Sequence, residues 1–141
     1  MNLQFQIADT EDIEAIFTQA KQLIDAYEDI TSIDYEKVLA WVNRKITEHI
    51  REYRRVLLNG EKCAYYRLCS DGELDDLYVL PAYRNQGIGS KILSTCIAES
   101  KENLYLYVFS RNLRAISLYE RHGFSVQKTV GNTRLIMARK G

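Results

Sequence analysis

The stretch from Glu73 to Gly89 limits the possible folds most, because an apolar run passes through a proline into a glycine-containing loop and then into a helical pattern. Pro81 ends the predicted strand, since it cannot donate to a central ladder. Gly87 and Gly89 have no side chain, so a ligand can approach the backbone closely. The first amides of the following helix lack intrahelical partners, and the helix dipole there favours negative charge. This strand–loop–helix unit predicts a cradle for a phosphate or pyrophosphate.

Two common phosphate loops do not match this stretch. A Walker loop requires Gly-x-x-x-x-Gly-Lys-Ser/Thr, and the order Gly89-Ser90-Lys91 breaks it. A dinucleotide fingerprint needs a third glycine three residues after the second, where this chain has Ile92. The residues around the loop must therefore indicate which ligand it holds.

Hydrophobic periodicity and turn signals predict the remaining elements. Asn59-Gly60 is typical of a type I′ hairpin, and Gly131-Asn132 predicts a second hairpin. The predicted strands are Leu3–Ala8, Arg54–Leu58, Lys62–Leu68, Glu73–Leu80, Leu104–Phe109, Phe124–Val130 and Thr133–Arg139. The predicted helices begin after Asp9 or Thr10, after Ser32 or Asp34, near Gly89 and at Asn112, and the second has an apolar face of Val38, Trp41, Val42, Ile46 and Ile50. This order predicts a mixed sheet covered by helices, in the α/β or α+β class, within a single domain over residues 1–141.

Composition excludes several other classes of protein. Hydrophobic residues make up 46% of the chain and charged residues 27%, as in ordinary globular domains. No apolar run approaches the roughly 20 residues of a membrane span, and the N-terminus does not resemble a signal peptide. The cysteines and histidines lack metal-ligand spacing, so we expect no metal and reduced, space-filling thiols in a cytoplasmic protein: Cys63, Cys69, Cys96, His49 and His122.

The resemblance to a known family lies in two blocks. Arg84-x-x-Gly87-x-Gly89 resembles the pyrophosphate loop of the GNAT superfamily of acetyl-CoA-dependent N-acetyltransferases, and the strand before it is similar to that family's fourth strand. Downstream, Asn112-x-x-Ala115-x-x-x-Tyr119-x-x-x-Gly123-Phe124 resembles the family's second block at the expected distance. The resemblance is close from Glu73 to Phe124 and only topological before that. It implies the GNAT fold, a mixed central sheet of about seven strands flanked by four helices, and transfer of acetyl from acetyl-CoA to a primary amine.

The resemblance also implies which residues hold acetyl-CoA. Backbone groups of Leu77 and Val79, on either side of Tyr78, would pair with the pantetheine arm as an added strand. The Val79 amide would face the thioester oxygen, between fourth and fifth strands that splay apart. Asn112 would lie at the pantetheine. The pyrophosphate would be held by Arg84, Asn85, Gln86, Gly87, Ile88, Gly89 and Ser90.

For catalysis, Tyr119 matches the family's general-acid tyrosine, which would protonate the departing thiolate. Simple strand alternation puts Glu73, Asp75, Leu77 and Val79 on one face. Glu73 or Asp75 would then be the general base, directly or through water. Both carboxylates can also be interpreted as a solvated strand end, since Asp71 and Asp76 lie nearby. Direct transfer in a ternary complex needs no nucleophile, and the spacing of Cys96 is typical of core.

Charge is unevenly distributed, with nine acids and one base in residues 1–36 and ten bases and three acids in residues 77–141. In the GNAT fold the first two helices and the final hairpin wall the acceptor site. The acidic and aromatic stretches 25–29 and 34–36 would therefore suit a small cationic amine, although acids also occur at helix starts without a ligand.

Other functions remain open at this point. They are protein N-terminal or lysine acetylation, and a catalytically silent acyl-CoA sensor. Nucleic-acid binding is disfavoured because the chain is not net basic. The expected partners are acetyl-CoA and an amine, with no membrane and no nucleic acid, in a monomer or homodimer.

Overall fold

The computed structural model describes residues 1–100 and 103–141, and within these ranges the chain forms seven strands and four α-helices. The elements are β1 Leu3–Ile7, α1 Ile13–Tyr27, α2 Tyr35–Glu48, β2 Tyr53–Leu58, β3 Glu61–Leu68, β4 Leu74–Val79, α3 Ile88–Glu99, β5 Leu104–Phe109, α4 Leu113–Arg121, β6 Ser125–Val130 and β7 Arg134–Arg139. This confirms the predicted order and the α+β class. Lys101 and Glu102, two of the charges counted above, lie outside the described residues.

The strands form two antiparallel sheets, β1-β2-β3-β4 and β5-β7-β6. The sheets meet where Glu73 forms a parallel bridge with Tyr105 and the Tyr105 amide donates to the Gly72 carbonyl at 3.1 Å. Beyond that junction β4 and β5 are not paired within the described residues, so the two strands diverge toward their carboxyl ends. The divergence expected between the fourth and fifth strands is therefore present.

Two turns depend on unusual backbone conformations. Asn59 and Gly60 have φ values of 53° and 83°, the pair of positive angles that a type I′ hairpin requires. Gly72 has φ +95°, and a Cβ at this position would lie 2.3 Å from the Asn103 carbonyl oxygen. Only glycine fits there, and it stands at the point where the two sheets join.

Apolar side chains cover both faces of the sheets. On one face α3 buries Ile88, Ile92, Leu93 and Cys96. On the other face α1 and α2 pack over Tyr53, Tyr65 and Tyr78. Burial of this surface is the main stabilising contribution in a domain of this size.

One prediction about α2 is wrong. Trp41 belongs to the predicted apolar face of that helix, yet its side chain is 57% exposed. Val42 and Ile46 form the buried contact instead. Within residues 1–100 and 103–141, no helix combines the length and apolar character that crossing a membrane requires.

Candidate active site

A β-bulge in β4 arranges the carboxylates of the site. Arg67 pairs with Asp76 and Leu68 pairs with Leu74, so Asp75 is an extra residue on this strand. A bulge interrupts the alternation of side chains. As a result, the Lys45 ammonium lies 3.2 Å from an oxygen of each of two consecutive carboxylates, Asp75 and Asp76.

The prediction of a single face for four β4 positions is therefore wrong. Glu73 and Asp75 line one cavity beside α2. Leu77 and Val79 pack instead against the core under α3. The bulge separates the two pairs, because it shifts the alternation by one residue.

Asp76 is the most buried carboxylate of the site, at 9% exposure. It accepts hydrogen bonds from Tyr53 Oη at 2.5 Å, Tyr78 Oη at 2.7 Å and Lys45 Nζ at 3.2 Å. Burial and the negative charge of Asp76 raise the pKa of both tyrosines, which remain protonated donors. Asp76, whose proximity supported the interpretation of Glu73 and Asp75 as a solvated strand end, is therefore not itself a solvated charge. The sequence contained a signal for this burial, because Asp76 precedes the apolar Leu77 within a predicted strand. A carboxylate buried in a strand requires hydrogen-bond partners.

The cavity beside α2 has a volume of about 500 Å³. It is lined by Trp41, Lys45, Glu52, Arg67, Cys69, Ser70, Asp71, Glu73 and Asp75. Arg67 donates to Asp75 at 2.6 Å and to Glu52 at 3.0 Å. Its four carboxylates outnumber its two cations, so the cavity attracts positive charge.

Glu73 differs from the other carboxylates of this cavity. Within the described part of the chain, its side chain has no hydrogen bond or ion pair, whereas Asp75 is paired with Arg67 and Lys45. Burial raises the pKa of Glu73, and the neighbouring charges of Asp75 and Asp71 raise it further. A carboxylate of raised pKa accepts a proton more readily than an ordinary, solvated carboxylate does.

Tyr119 lies on α4 and is 9% exposed. The centroid of its ring is 5.9 Å from that of the Phe124 ring. The Asn112 side chain begins this helix by accepting from the Ala115 amide at 3.3 Å. No hydrogen bond to the Tyr119 hydroxyl is found among residues 1–100 and 103–141. Burial raises the pKa of Tyr119, and the charge of Asp76 adds to the effect. The hydroxyl is therefore protonated at neutral pH and available as a proton donor.

The loop between β4 and α3 presents open backbone amides. Asn85 and Gly87 have φ values of 64° and 81°, and α3 begins at Ile88 without a side-chain cap. The first amides of α3 therefore remain free for an anion. The Ser90 hydroxyl is hydrogen-bonded to His122 Nε2 at 2.9 Å. The backbone amide of Ser90, rather than its hydroxyl, is therefore the group that Ser90 can offer to an anion at this loop.

Arg84 does not extend over this loop. Its Nε donates to the Val79 carbonyl at 3.0 Å, and one terminal nitrogen donates to Gln19 on α1 at 3.2 Å. The guanidinium therefore fixes the end of β4. Leu80 donates to Cys63 of β3 at 2.9 Å, so the alternate residues Leu77 and Val79 direct their backbone groups toward the gap beside β5.

The acidic stretches near the first two helices are mostly engaged locally. Asp25 accepts from Lys21 at 2.9 Å and from Tyr35 at 2.6 Å. Asp29 accepts from Thr31 in its own turn, and Asp34 caps α2. The negative charge that faces a cavity comes instead from residues 52–75.

The sequence matches the profile of the Acetyltransferase (GNAT) family over residues 19–124. The chain belongs to the GNAT acetyltransferase family. It is accordingly an acetyl-CoA-dependent acetyltransferase, as its two blocks predicted.

Solved GNAT structures have the same fold at low sequence identity. PaiA N-acetyltransferase from Thermoplasma acidophilum, in complex with coenzyme A, superposes with a TM-score of 0.72 at 20% identity over 100% of both chains. YncA from Salmonella typhimurium, solved with its cofactor acetyl-CoA, superposes with a TM-score of 0.67. The two sequences are 22% identical, and the match covers 99% of this chain and 94% of YncA. Among curated proteins, the spermine/spermidine N(1)-acetyltransferase of Bacillus subtilis is 36% identical over 56 residues. That match covers 36% of this chain and 37% of the relative.

The residues of this GNAT chain fit acetyl-CoA as a co-substrate. Among the described residues, the amides of Leu77 and Val79 have no partner strand on the side of β5, and the start of α3 has no side-chain cap, so both places can accommodate an extended ligand that carries a phosphate. The cysteines do not offer a competing nucleophile. Burial raises the pKa of Cys96 to about 12 and that of Cys69 to about 11, so both are neutral thiols at pH 7.

Proposed function

We propose that this enzyme transfers the acetyl group of acetyl-CoA to a primary amine of a small, cationic acceptor of the polyamine class. The cavity beside α2 carries this proposal. It combines an excess of carboxylates, an exposed indole at Trp41 and Glu73, whose pKa is raised and whose carboxylate has no partner among residues 1–100 and 103–141. Carboxylates and aromatic faces are the groups that bind ammonium ions.

Glu73 is the proposed general base. An aliphatic ammonium with a pKa of roughly 10.4 must lose a proton before it can attack a thioester. Glu73 takes this proton directly or through water, while Asp75 is held by Arg67 and Lys45 and contributes negative charge to the cavity wall. The raised pKa of Glu73 makes the transfer less unfavourable than to an ordinary carboxylate.

Tyr119 is the proposed general acid. Acetyl-CoA supplies the thioester, whose carbon–sulfur bond breaks as the new carbon–nitrogen bond forms. The protonated Tyr119 hydroxyl, which has no partner among the described residues, then donates to the departing thiolate. The Val79 amide is the proposed donor to the thioester oxygen, as charge develops there.

The remaining roles concern the hold on acetyl-CoA. The open amides from Gln86 to Ser90 are proposed to bind the pyrophosphate, with Asn85 setting the loop through its positive φ. Arg84 holds the Val79 carbonyl in place through a hydrogen bond. Its positive charge also favours an anion near this loop. Asn112 keeps its side-chain amide nitrogen available while its oxygen caps α4.

The partial likeness to a spermine/spermidine acetyltransferase supports the polyamine class. The test is acetyl-CoA-dependent thiol release with diamines, triamines, aminoglycosides, amino acids and short peptides. We expect release with the small polyamines. Release only with peptides would assign the enzyme to protein modification. Binding of acetyl-CoA without release from any acceptor would favour the sensor function.

A further inference from the structure

Lys45 is one of two fixed positive charges in the wall of a cavity that carries four carboxylates. Its side chain is 17% exposed, and its ammonium lies 3.2 Å from both Asp75 and Asp76 and 5.8 Å from the centroid of the Trp41 ring. Burial alone lowers the pKa of this ammonium, but the charges of Asp76 and Asp75 outweigh burial and raise it. Lys45 is therefore charged throughout the neutral range.

The ion pairs divide the carboxylates into two groups. Arg67 neutralises Glu52 and shares Asp75 with Lys45, which also neutralises Asp76. Asp71 and Glu73 have no cationic partner within the described residues, and their oxygens lie within 4.8 Å of each other. Among the described residues, Asp71 accepts from neutral donors, which include the Tyr105 hydroxyl at 2.7 Å and the Glu73 amide at 3.0 Å.

We propose that Lys45 is a specificity-determining residue, which limits the number of positive charges that an acceptor can bring into this cavity. This inference rests on the proposed function, and the property that it adds is the number of positive charges on the acceptor. Lys45 occupies the Asp75–Asp76 pair with its own ammonium and repels a second cation nearby. Acceptors with one ammonium beside the reacting amine are accommodated, and more highly charged acceptors are disfavoured. A repulsive group of this kind discriminates between ligands that share their attractive contacts.

The experiment compares kcat/KM for a diamine and a triamine that share the same aminobutyl end. The principal variant is Lys45→Gln, because it removes the charge and keeps a hydrogen-bond donor on a side chain of similar shape. We expect the triamine-to-diamine ratio of kcat/KM to rise about tenfold, as one unit of repulsion is lost at short range. Taking a ratio within each variant cancels any general change in catalysis.

Three further variants isolate the charge. Lys45→Arg keeps the cation and should retain the parent ratio. Lys37→Gln removes a lysine from the same helix, where the side chain is 86% exposed, and should also leave the ratio unchanged. Lys45→Gln combined with Asp76→Asn restores the net charge of the parent cavity and should bring the ratio back toward its original value.

The outcomes separate this inference from the proposed function. If the parent acetylates neither amine, the polyamine assignment fails. If the parent is active and Lys45→Gln lowers kcat/KM equally for both amines, Lys45 is only a structural counter-ion and the inference is overturned. Should Lys45→Gln fail to fold, as judged by circular dichroism, Lys45→Met also removes the positive charge and provides the same comparison, while the double variant keeps the net charge of the parent cavity and should retain a ratio near the parent value.

Discussion

The role of the buried Tyr119 hydroxyl is the easiest to isolate, because Tyr119→Phe removes that group alone. We expect Tyr119→Phe to lower kcat by about 100-fold, because a positioned proton donor typically contributes roughly 100- to 10,000-fold. The dissociation constant of acetyl-CoA should not change, since the hydroxyl acts mainly in the transition state. Steady-state kinetics and calorimetry measure the two quantities. An unchanged kcat would remove Tyr119 from the mechanism.

Glu73 should determine the acidic limb of the pH–rate profile. A base acts only when it is deprotonated, so kcat/KM should rise as pH increases through the raised pKa of Glu73. In Glu73→Gln this limb should disappear and kcat/KM should fall by about 100-fold. The measurement is kcat/KM between pH 5 and pH 9 for both proteins. Asp75→Asn serves as the comparison, and persistence of the limb in Glu73→Gln together with its loss in Asp75→Asn would transfer the role to Asp75.

At this scale, sequence prediction is most direct where a residue belongs to a local motif. Tyr119 and Gly87 could be singled out from neighbours a few positions away, and their functional roles stay predictions. Lys45 and Asp76 could not, because their contact joins residues far apart in the chain and depends on how α2 packs against β4. Trp41 was misplaced because helical spacing indicates a face but not where the partner surface ends.

The junction between β4 and β5 depends on a single glycine. Gly72→Ala would bring a Cβ to 2.3 Å from a backbone oxygen at φ +95°, and neither backbone can move without disturbing the Glu73–Tyr105 bridge. We expect a loss of about 3 kcal/mol in the free energy of unfolding. Urea unfolding measures it.

Gly60→Ala provides the matched control for that substitution. Gly60 also has positive φ, at +83°, but a Cβ there meets no atom within 4 Å. Only backbone strain should appear, about 1 kcal/mol. Equal losses for the two variants would show that the contact with Asn103 is unimportant.

Most elements were predicted because each has a local signal for its start or end. Asn59-Gly60 set the hairpin between β2 and β3, and Pro81 marked the end of β4. The bulge at Asp75 could not be located from the sequence, because the consecutive acids Asp75 and Asp76 interrupt the alternation without showing which residue is the extra one. Side-chain alternation therefore failed at β4, the strand that carries these two carboxylates.

Across the whole molecule, Asp12 ties the start of α1 to the sheet. It is fully buried and accepts from Lys62 at 2.7 Å, Tyr65 at 2.9 Å and Arg55 at 3.2 Å. Burial alone raises the pKa of Asp12, but these donors outweigh burial and lower it. The folded pKa thus lies below the unfolded value of roughly 3.9, so Asp12 stabilises the fold above that pH and the contribution disappears as pH falls through the folded value.

We therefore expect Asp12→Asn to reduce the free energy of unfolding by about 2–3 kcal/mol at pH 7, because two cations lose their buried partner. The difference between parent and variant should shrink near pH 3. Urea unfolding at both pH values measures it. A difference that is the same at pH 3 and pH 7 would contradict the ionic origin of the effect.

Because β4 diverges from β5, the hydrogen-bonded ladder between the two sheets is incomplete in the described residues. Along this seam the amides of Leu77 and Val79 have no strand partner, so they should exchange with deuterium quickly in the free enzyme and slowly once a pantetheine arm lies beside them. We propose that the donor molecule serves as the missing strand, so that its binding raises the free energy of unfolding by an amount that grows with its concentration relative to its dissociation constant. A cell depleted of acetyl-CoA would hold not only a less active enzyme but also one that unfolds more readily.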